Sequence, residues 1–234
     1  MQKDMKQQTR DWVAIVIGIG VISILLSQTG CGQGPQGIQG LPGTNAPETA
    51  TVDPAIQSVV NAYNENHPVN DPITQGLACT LYTVPTSTLQ ILASATGVVP
   101  VVPAATLTTV GSFLYTGEFN QPEGSVTGGF NVLPSNLQGL YQTWFIVKCT
   151  GLFISTYYAL HEFDLTSDDG SVFSIGGQLI NNDGLHAAAT KSASKILDAE
   201  TVYSFEVDFF QGGGDQELVL NMDGALLPSQ NLYH

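Results

Sequence analysis

Two adjacent carboxylates, Asp168 and Asp169, stand in the run L-T-S-D-D-G-S-V-F-S-I-G-G-Q-L-I-N-N-D-G-L-H from Leu165 to His186, where one strand-like stretch ends and a hydroxyl-rich one begins. Neighbouring side chains on an extended strand point to opposite faces, so the two carboxylates converge on one ion only if the backbone between them leaves β geometry. A cis peptide achieves that; outside proline it costs roughly 3–4 kcal/mol and persists where something offsets it, and a hard dication held by two carboxylates is one such partner. D-D-G-S is also ordinary turn punctuation, since Asp opens turns and Gly170 tolerates positive φ. The four histidines, His67, His161, His186 and His234, are scattered, so no zinc-type cluster suggests itself, and His186 reads as a strand-end residue.

The surrounding blocks are W-F-I-V-K-C-T-G from Trp144, F-D-L-T-S-D-D-G-S from Phe163, Q-L-I-N-N-D-G-L-H from Gln178, and V-Y-S-F-E-V-D-F-F-Q-G-G-G-D-Q-E-L-V-L from Val202. In order and spacing they resemble the protective-antigen (PA-fourteen) domain family, a β-sandwich found in bacterial toxins, glycosidases and yeast flocculin-type adhesins. The resemblance covers about half of the chain, from Val110 to the end. In sugar-binding members the paired aspartates hold a calcium ion that also takes sugar hydroxyls, while a second loop adds an Asn-type side chain and backbone carbonyls. Carried over, this implies calcium ligands Asp168 and Asp169, with a second loop from Gln211 to Glu217. There Gly212, Gly213 and Gly214 let carbonyls approach an ion, and Gln211 and Asp215 offer further oxygens. That loop lacks the family's Asn, so Gln211 or Asp215 must substitute, and a plain glycine-rich hairpin is the competing reading. Gly176-Gly177 stands where many members carry Asp-Gly. Asn181, Asn182 and Asp183 could present hydrogen-bonding groups to a sugar, although N-N-D-G is also a strong hairpin turn.

These residues need a scaffold. Tyr203, Phe205, Val207 and Phe209 alternate with Ser204, Glu206 and Asp208, and Leu218, Leu220 and Met222 follow in phase. Such alternation, with one face buried and one wet and glycine-rich turns between segments, predicts an all-β, antiparallel β-sandwich with recognition residues in the loops at one end. Glu162, Asp164, Glu206 and Asp208 read as solvent-facing strand residues. Asp53 and Pro54 supply a cap and first residue for one short helix, whose apolar stripe is Ile56, Val59, Val60 and Tyr63. That stripe packs on the head domain or on copies of itself. Between Cys79 and Leu107 short strands are broken by proline, as in C-T-L-Y-T-V-P and V-V-P-V-V-P. Cys149 is in phase with Phe145 and Val147 on a core face; Cys79 and Cys149 form either a disulfide or a buried thiol pair left open.

The N-terminus carries a basic segment, an apolar run from Trp12 to Leu26 too short for a comfortable membrane span, and S-Q-T-G-C-G from Ser27 to Gly32. It resembles a bacterial lipoprotein signal with Cys31 as the lipidated residue, although Gln28 stands where Leu is expected; an uncleaved helical anchor is the alternative. Gly34, Gly37, Gly40 and Gly43 then recur every third residue with collagen-like prolines. The repeat is too short to hold three chains together by itself, so it is either a stiff tether or the stalk of a homotrimer secured by other contacts. Past Asp11 the chain carries three basic and 18 acidic residues, a surface that repels nucleic acid and anionic headgroups.

No nucleophile elbow, phosphate loop or zinc motif is present, and sequence-adjacent carboxylates do not flank a glycosidic bond without special geometry. The sequence thus predicts no enzyme. It predicts a signal over 1–30, a lipid-anchored linker over 31–52, a helix and β-rich connection over 53–109 and the sandwich over 110–234. The expected function is a calcium-dependent glycan-binding adhesin on the bacterial cell envelope; a structural or protein-binding envelope lipoprotein using the same sandwich is the alternative.

Overall fold

The computed structural model describes residues 52–67, 72–84, 107–124 and 129–234. The signal-like segment, Cys31, the glycine-triplet stretch and the V-V-P-V-V-P run lie outside these residues. Within them the chain forms the helix α1 (Pro54–Asn66), a one-turn helix α2 (Ser135–Gln138) and the strands β1 (Leu77–Thr83), β2 (Thr108–Tyr115), β3 (Asn120–Gly124), β4 (Phe145–Ser155), β5 (Ala159–Asp168), β6 (Ser171–Ile175), β7 (Gln178–Asn182), β8 (Ala189–Leu197), β9 (Thr201–Gln211), β10 (Gln216–Met222), β11 (Ala225–Leu226) and β12 (Leu232–Tyr233). No helix among the described residues is long and apolar enough to cross a membrane.

The strands build the expected antiparallel β-sandwich. One sheet runs β2-β1-β4-β9-β6-β7 with β12 also on β4, and the other runs β11-β10-β5-β8 with β3 also on β10. Inward side chains at alternate positions fill the space between the sheets, as the period of two requires. Phe173 of the first sheet meets Phe163 of the second at 5.4 Å between ring centroids, and Phe130, from the segment before α2, stacks on Phe209 at 4.5 Å. Leu165, Leu218, Leu220 and Val207 complete that apolar layer.

The sandwich starts earlier in the chain than the Val110 boundary. Strand β1, from the stretch read as a connection, lies between β2 and β4, pairing β4 without a break and β2 with one register shift at Leu81/Tyr82, with Cys79 opposite Cys149. These two buried cysteines are joined in a disulfide. The alternation in L-A-C-T-L-Y-T puts Leu77, Cys79 and Leu81 inward, and burial of those three residues recruits the strand. Asp53 caps α1 by accepting the Ala55 N–H at 2.8 Å, and Ile56, Val59 and Val60 pack on Ile154 and Tyr233, so the helix docks on the head.

The outer face of the first sheet departs from a simple wet face. Its two ends are apolar: Ile154, Leu152 and Val202 lie in the cluster under α1, while Ile146 and Phe210 are buried with Val84 at the other end. Asp208, expected to face solvent, is 9% exposed and paired with Lys148 at 2.6 Å. N-N-D-G is not a hairpin turn either. Asn181 and Asn182 finish β7, and the chain then crosses to β8 in the other sheet. The tight β6–β7 turn is made instead by Gly176 and Gly177, both at positive φ (54° and 107°).

Candidate functional site

Three connections leave one sheet for the other at the same end of the sandwich. Asp169 and Gly170 join β5 to β6, residues 183–188 join β7 to β8, and residues 212–215 join β9 to β10. Strand pairing brings them together: Asp168 is opposite Glu217, Ser171 is opposite Phe209, and the Phe210 N–H donates to the Gly170 carbonyl at 2.7 Å. The D-D-G-S turn is therefore a sheet crossing and not a hairpin. The Asp168–Asp169 peptide is cis.

Asp169 ties the three connections. Its Oδ1 accepts the His186 N–H at 3.1 Å, and its Oδ2 accepts the N–H groups of Gly212 at 2.8 Å and Gly213 at 3.4 Å. Bonds from N–H groups to a charged carboxylate are stronger than neutral ones, so this one side chain fixes the spacing of all three loops. Two glycines make the approach possible. A Cβ on Gly170 would fall 2.8 Å from the Gly184 carbonyl oxygen, and one on Gly212 would fall 2.5 Å from Leu185 Cδ2 and 3.2 Å from Asp169 Oδ2.

Asp168 is 8% exposed and Asp169 5%. Burial, and next the Asp169 carboxylate, push the Asp168 carboxyl above its ordinary value; Asp215 adds in the same direction, while His186 and the Ala188 N–H pull the other way. No lysine offsets that charge. Beyond Asp11 the basic residues are Lys148, Lys191 and Lys195. Lys148 pairs with Asp208, while Lys191 and Lys195 donate to the carbonyls of Asn181 and Gly176.

Beneath the turn lies a buried polar cluster that the sequence did not reveal as a unit. Ser171 Oγ and Ser167 Oγ are 2.7 Å apart, and Asn182 donates to Ser167 Oγ at 3.0 Å and to the Ala189 carbonyl at 2.8 Å. Asn182, a candidate ligand contact, is thus turned inward and holds β7 to β5 and to the start of β8. Asp183 is placed beside the turn, its Oδ1 lying 3.3 Å from the position of a Cβ on Gly170. Gln211 is fully buried; its amide donates to the Asp215 carbonyl at 3.0 Å while its Oε1 has no partner. Gly213, Gly214 and Asp215 are the exposed residues of their loop, and the Gly212 carbonyl accepts the Trp144 N–H at 3.3 Å. The contributions of Leu185, the His186 backbone and Trp144 were likewise unforeseen, because their role depends on which loops the sheet crossings bring together.

Among the described residues no three His, Cys, Asp or Glu side chains gather closely enough to cage an ion by themselves. A calcium site here would rest on few carboxylates and several neutral oxygens. The donor set present has that composition: a buried carboxylate pair with His186 as its one basic neighbour among the described residues, an amide oxygen left without a partner at Gln211, and a glycine-rich loop on the open side.

Residues 135–231, from α2 through β11, match the PA14 domain family. β1, β2 and β3 precede the matched span and are added to it in the sheets. Among solved structures, the chain is similar to the PA14 domain of the MpAFP antifreeze protein (17% identity, TM-score 0.48, covering 70% of this chain and 93% of that one). It is also similar to the PA14 sugar-binding domain from an RTX adhesin (21% identity, TM-score 0.47, 69% and 99% covered). A third is the Epithelial Adhesin 6 A domain from Candida glabrata in complex with Galb1-3GlcNAc (17% identity, TM-score 0.46, 71% and 89% covered). No curated protein matches the chain.

Proposed function

Residues 135–231 form a PA14 domain, and from that premise we propose that the protein is a glycan-binding adhesin of the cell surface, with calcium held at the three-loop end of the sandwich. The observation that carries this reading is the buried Asp168–Asp169 pair, beside His186 and with no lysine paired to it, next to the exposed Gly213–Asp215 segment. Calcium bound there would supply a positive centre on which two neighbouring sugar hydroxyls replace water. Asp168 and Asp169 are the anionic ligands, with Gln211 Oε1, the Gly213 carbonyl and Asp215 as further oxygens. Asp169 also keeps the loops in register through its N–H contacts, and Asn182 holds β7 against β5 beneath them. Asp183, beside the turn, is the polar group best placed to select among sugars.

In the same proposal Cys31 is lipidated and the glycine-triplet stretch is a tether or trimer stalk, which places the protein on the bacterial envelope. The loop end and the α1 end lie at opposite ends of β4. A second reading is favoured by one feature: Asp169 already accepts three backbone N–H groups. The carboxylate pair would then be a loop clamp in a structural or protein-binding envelope lipoprotein.

A glycan array probed in calcium and again in chelator separates the two. The adhesin reading expects binding that calcium supports and that is lost with chelator and with Asp168→Asn. An array on which no glycan depends on calcium, or on which the calcium-dependent binding survives in Asp168→Asn, overturns it.

A further inference from the structure

The outer face of the β2-β1-β4-β9-β6-β7 sheet carries a polar groove between two apolar margins, lined by residues other than those assigned to the Asp168 site. One margin is Ile146 and Phe210, against which Trp144 packs at 6.1 Å between ring centroids; the other is Ile154 and Val202 in the α1 cluster. Between them the register sets two cross-strand rows. The first is Lys148, Asp208, Val172 and Asn181, and the second is Thr150, Glu206, Ser174 and Gln178. Two clefts of about 250 and 340 Å³ open over these rows. They share Ser174, Gln178 and Glu206, so they form one groove with two compartments. Each is near the lower end of the ~300–1,000 Å³ of small-molecule sites, which suits one sugar-sized ring per compartment.

The lining selects the ligand class. Lys148 donates to Asp208 Oδ2 at 2.6 Å, whereas Asp208 Oδ1 is buried with no partner. A buried acceptor left without a donor is costly, and Asp208 lines the first compartment. Glu206, next along the strand on the same face, is also an acceptor and meets Asp208 only by sharing a proton. Burial foremost, with Glu206 adding and Lys148 opposing, holds the Asp208 carboxyl at about 6. An anionic ligand would meet two carboxylates whose one cation is already engaged, and an ammonium would compete with Lys148 for Asp208. A neutral polyol avoids both conflicts, because each hydroxyl donates to Glu206 or Asp208 and accepts from Ser174, Gln178 or Asn181. Asn181 spends its Oδ1 on the Asp183 N–H at 3.1 Å, so its NH₂ is the group it offers the groove. Val172 supplies an apolar floor in the middle of the first row.

We propose that this groove is a second, metal-independent binding site for a linear neutral saccharide, with two adjacent sugar rings lying over the Lys148–Asp208 and Thr150–Glu206 rows.

The test keeps the full-length chain in EDTA throughout, so that a failure of the calcium reading leaves it unaffected. Neutral tetrasaccharides of glucose, galactose, mannose and N-acetylglucosamine are titrated to ~10 mM, a concentration that detects affinities of a few kcal/mol, while amide chemical shifts are followed. At least one is expected to shift the amides of Ser174, Gln178 and Glu206. Glu206→Gln and Gln178→Ala, both on the surface of the fold, are each expected to weaken that binding about tenfold, the factor for losing one good hydrogen bond. Unchanged melting temperature and dispersion of the variants show that the fold is intact. The proposal falls if no tetrasaccharide binds, if the shifts fall only on the Asp169 and Gly212 loops, or if both variants bind as the unmodified protein does.

Discussion

Replacing Asp168 by Asn reports on calcium and on burial with opposite signs. The amide is nearly isosteric and keeps an oxygen for the Ala188 N–H, but it removes the charge. A carboxyl raised above its ordinary value in the fold favours folding while protonated, and that contribution is lost as pH rises through the folded-state value. At pH 7 without calcium the ionised Asp168, beside Asp169 and Asp215, therefore works against the fold. In chelator at pH 7 the Asn variant is expected to melt at or above the temperature of the unmodified protein, with any excess vanishing below pH ~4, where the carboxyl is protonated in both states. On the proposed calcium reading, the unmodified protein at ~100 times the dissociation constant is expected to gain about 2.7 kcal/mol, which is ~5–10 °C for a domain of 150–250 residues. The Asn variant gains little, so the order of the two melting temperatures reverses between chelator and calcium. The assay is thermal unfolding of the disulfide-intact protein at several pH values in both conditions. If Asp168→Asn lowers stability equally with and without calcium, the carboxylate is a structural clamp and the metal reading is refuted.

Three further expectations follow from the same physics. The Asp208 carboxyl, raised to about 6, contributes stability that is full below pH ~4 and lost as pH rises through 6. The stability difference between unmodified protein and Asp208→Asn should thus shrink by about 2 kcal/mol from pH 4 to 7, measured by urea unfolding, and a constant difference would show that the burial does not act on its protonation. The disulfide closes a sequence separation of 70 residues, so Cys79→Ala/Cys149→Ala should lose about 2–4 kcal/mol in the same assay, and a loss near zero would contradict loop-closure stabilisation. Gly170→Ala sets a Cβ against the Gly184 backbone, whereas Gly212→Ala meets chiefly the movable end of Leu185. The first should cost ~1–3 kcal/mol and the second clearly less, and the reverse order in thermal unfolding would show that the loops are not packed as described.

How much was legible in the sequence depended on the range of the interactions. Period-two alternation in V-Y-S-F-E-V-D-F-F and the Asp53-Pro54 start of α1 are local, and both elements form where that local signal puts them. The Asp168–Asp169 turn was singled out because adjacent carboxylates conflict with strand geometry. The recruitment of β1 was missed because its partner β4 is some 70 residues away, and proline-broken flanks disguised a regular strand. Asp208 reads locally as an outward residue, and it is outward. Its burial comes from the neighbouring Lys148 and Glu206 side chains and from apolar ridges on either side, none of which alternation records. Likewise N-N-D-G is strong turn chemistry, yet Asn182 enters the interior because Ser167 and the Ala189 carbonyl can absorb its amide hydrogens. The second-loop oxygens and His186 converge on Asp169 only through sheet crossings, and one sequence does not display those.

The proposed binding function has a mechanical counterpart in the two ends of the sandwich. The described chain enters at Val52 and α1, beside Ile154, and leaves at His234, whose N–H and carbonyl bond to Thr74 at 2.9 and 3.0 Å. Val52 and α1 therefore lie toward the Ser155 end of β4 and His234 beside Gly151 nearer its middle, while the Asp168 turn and the Gln211 loop lie at the other end, opposite Phe145. Strand β4 has 11 residues, and at ~3.3 Å each it sets the two ends roughly 30 Å apart. Under the proposed function, a ligand held at the loops would load β4 and β9, whose 11 residues pair one for one. Loading such a ladder lengthwise strains many hydrogen bonds at once, and the Cys79–Cys149 bond fixes β1 to β4 midway along the same axis. The longest strand pair and the covalent cross-link thus lie where a surface-anchored binding domain under tension would need them.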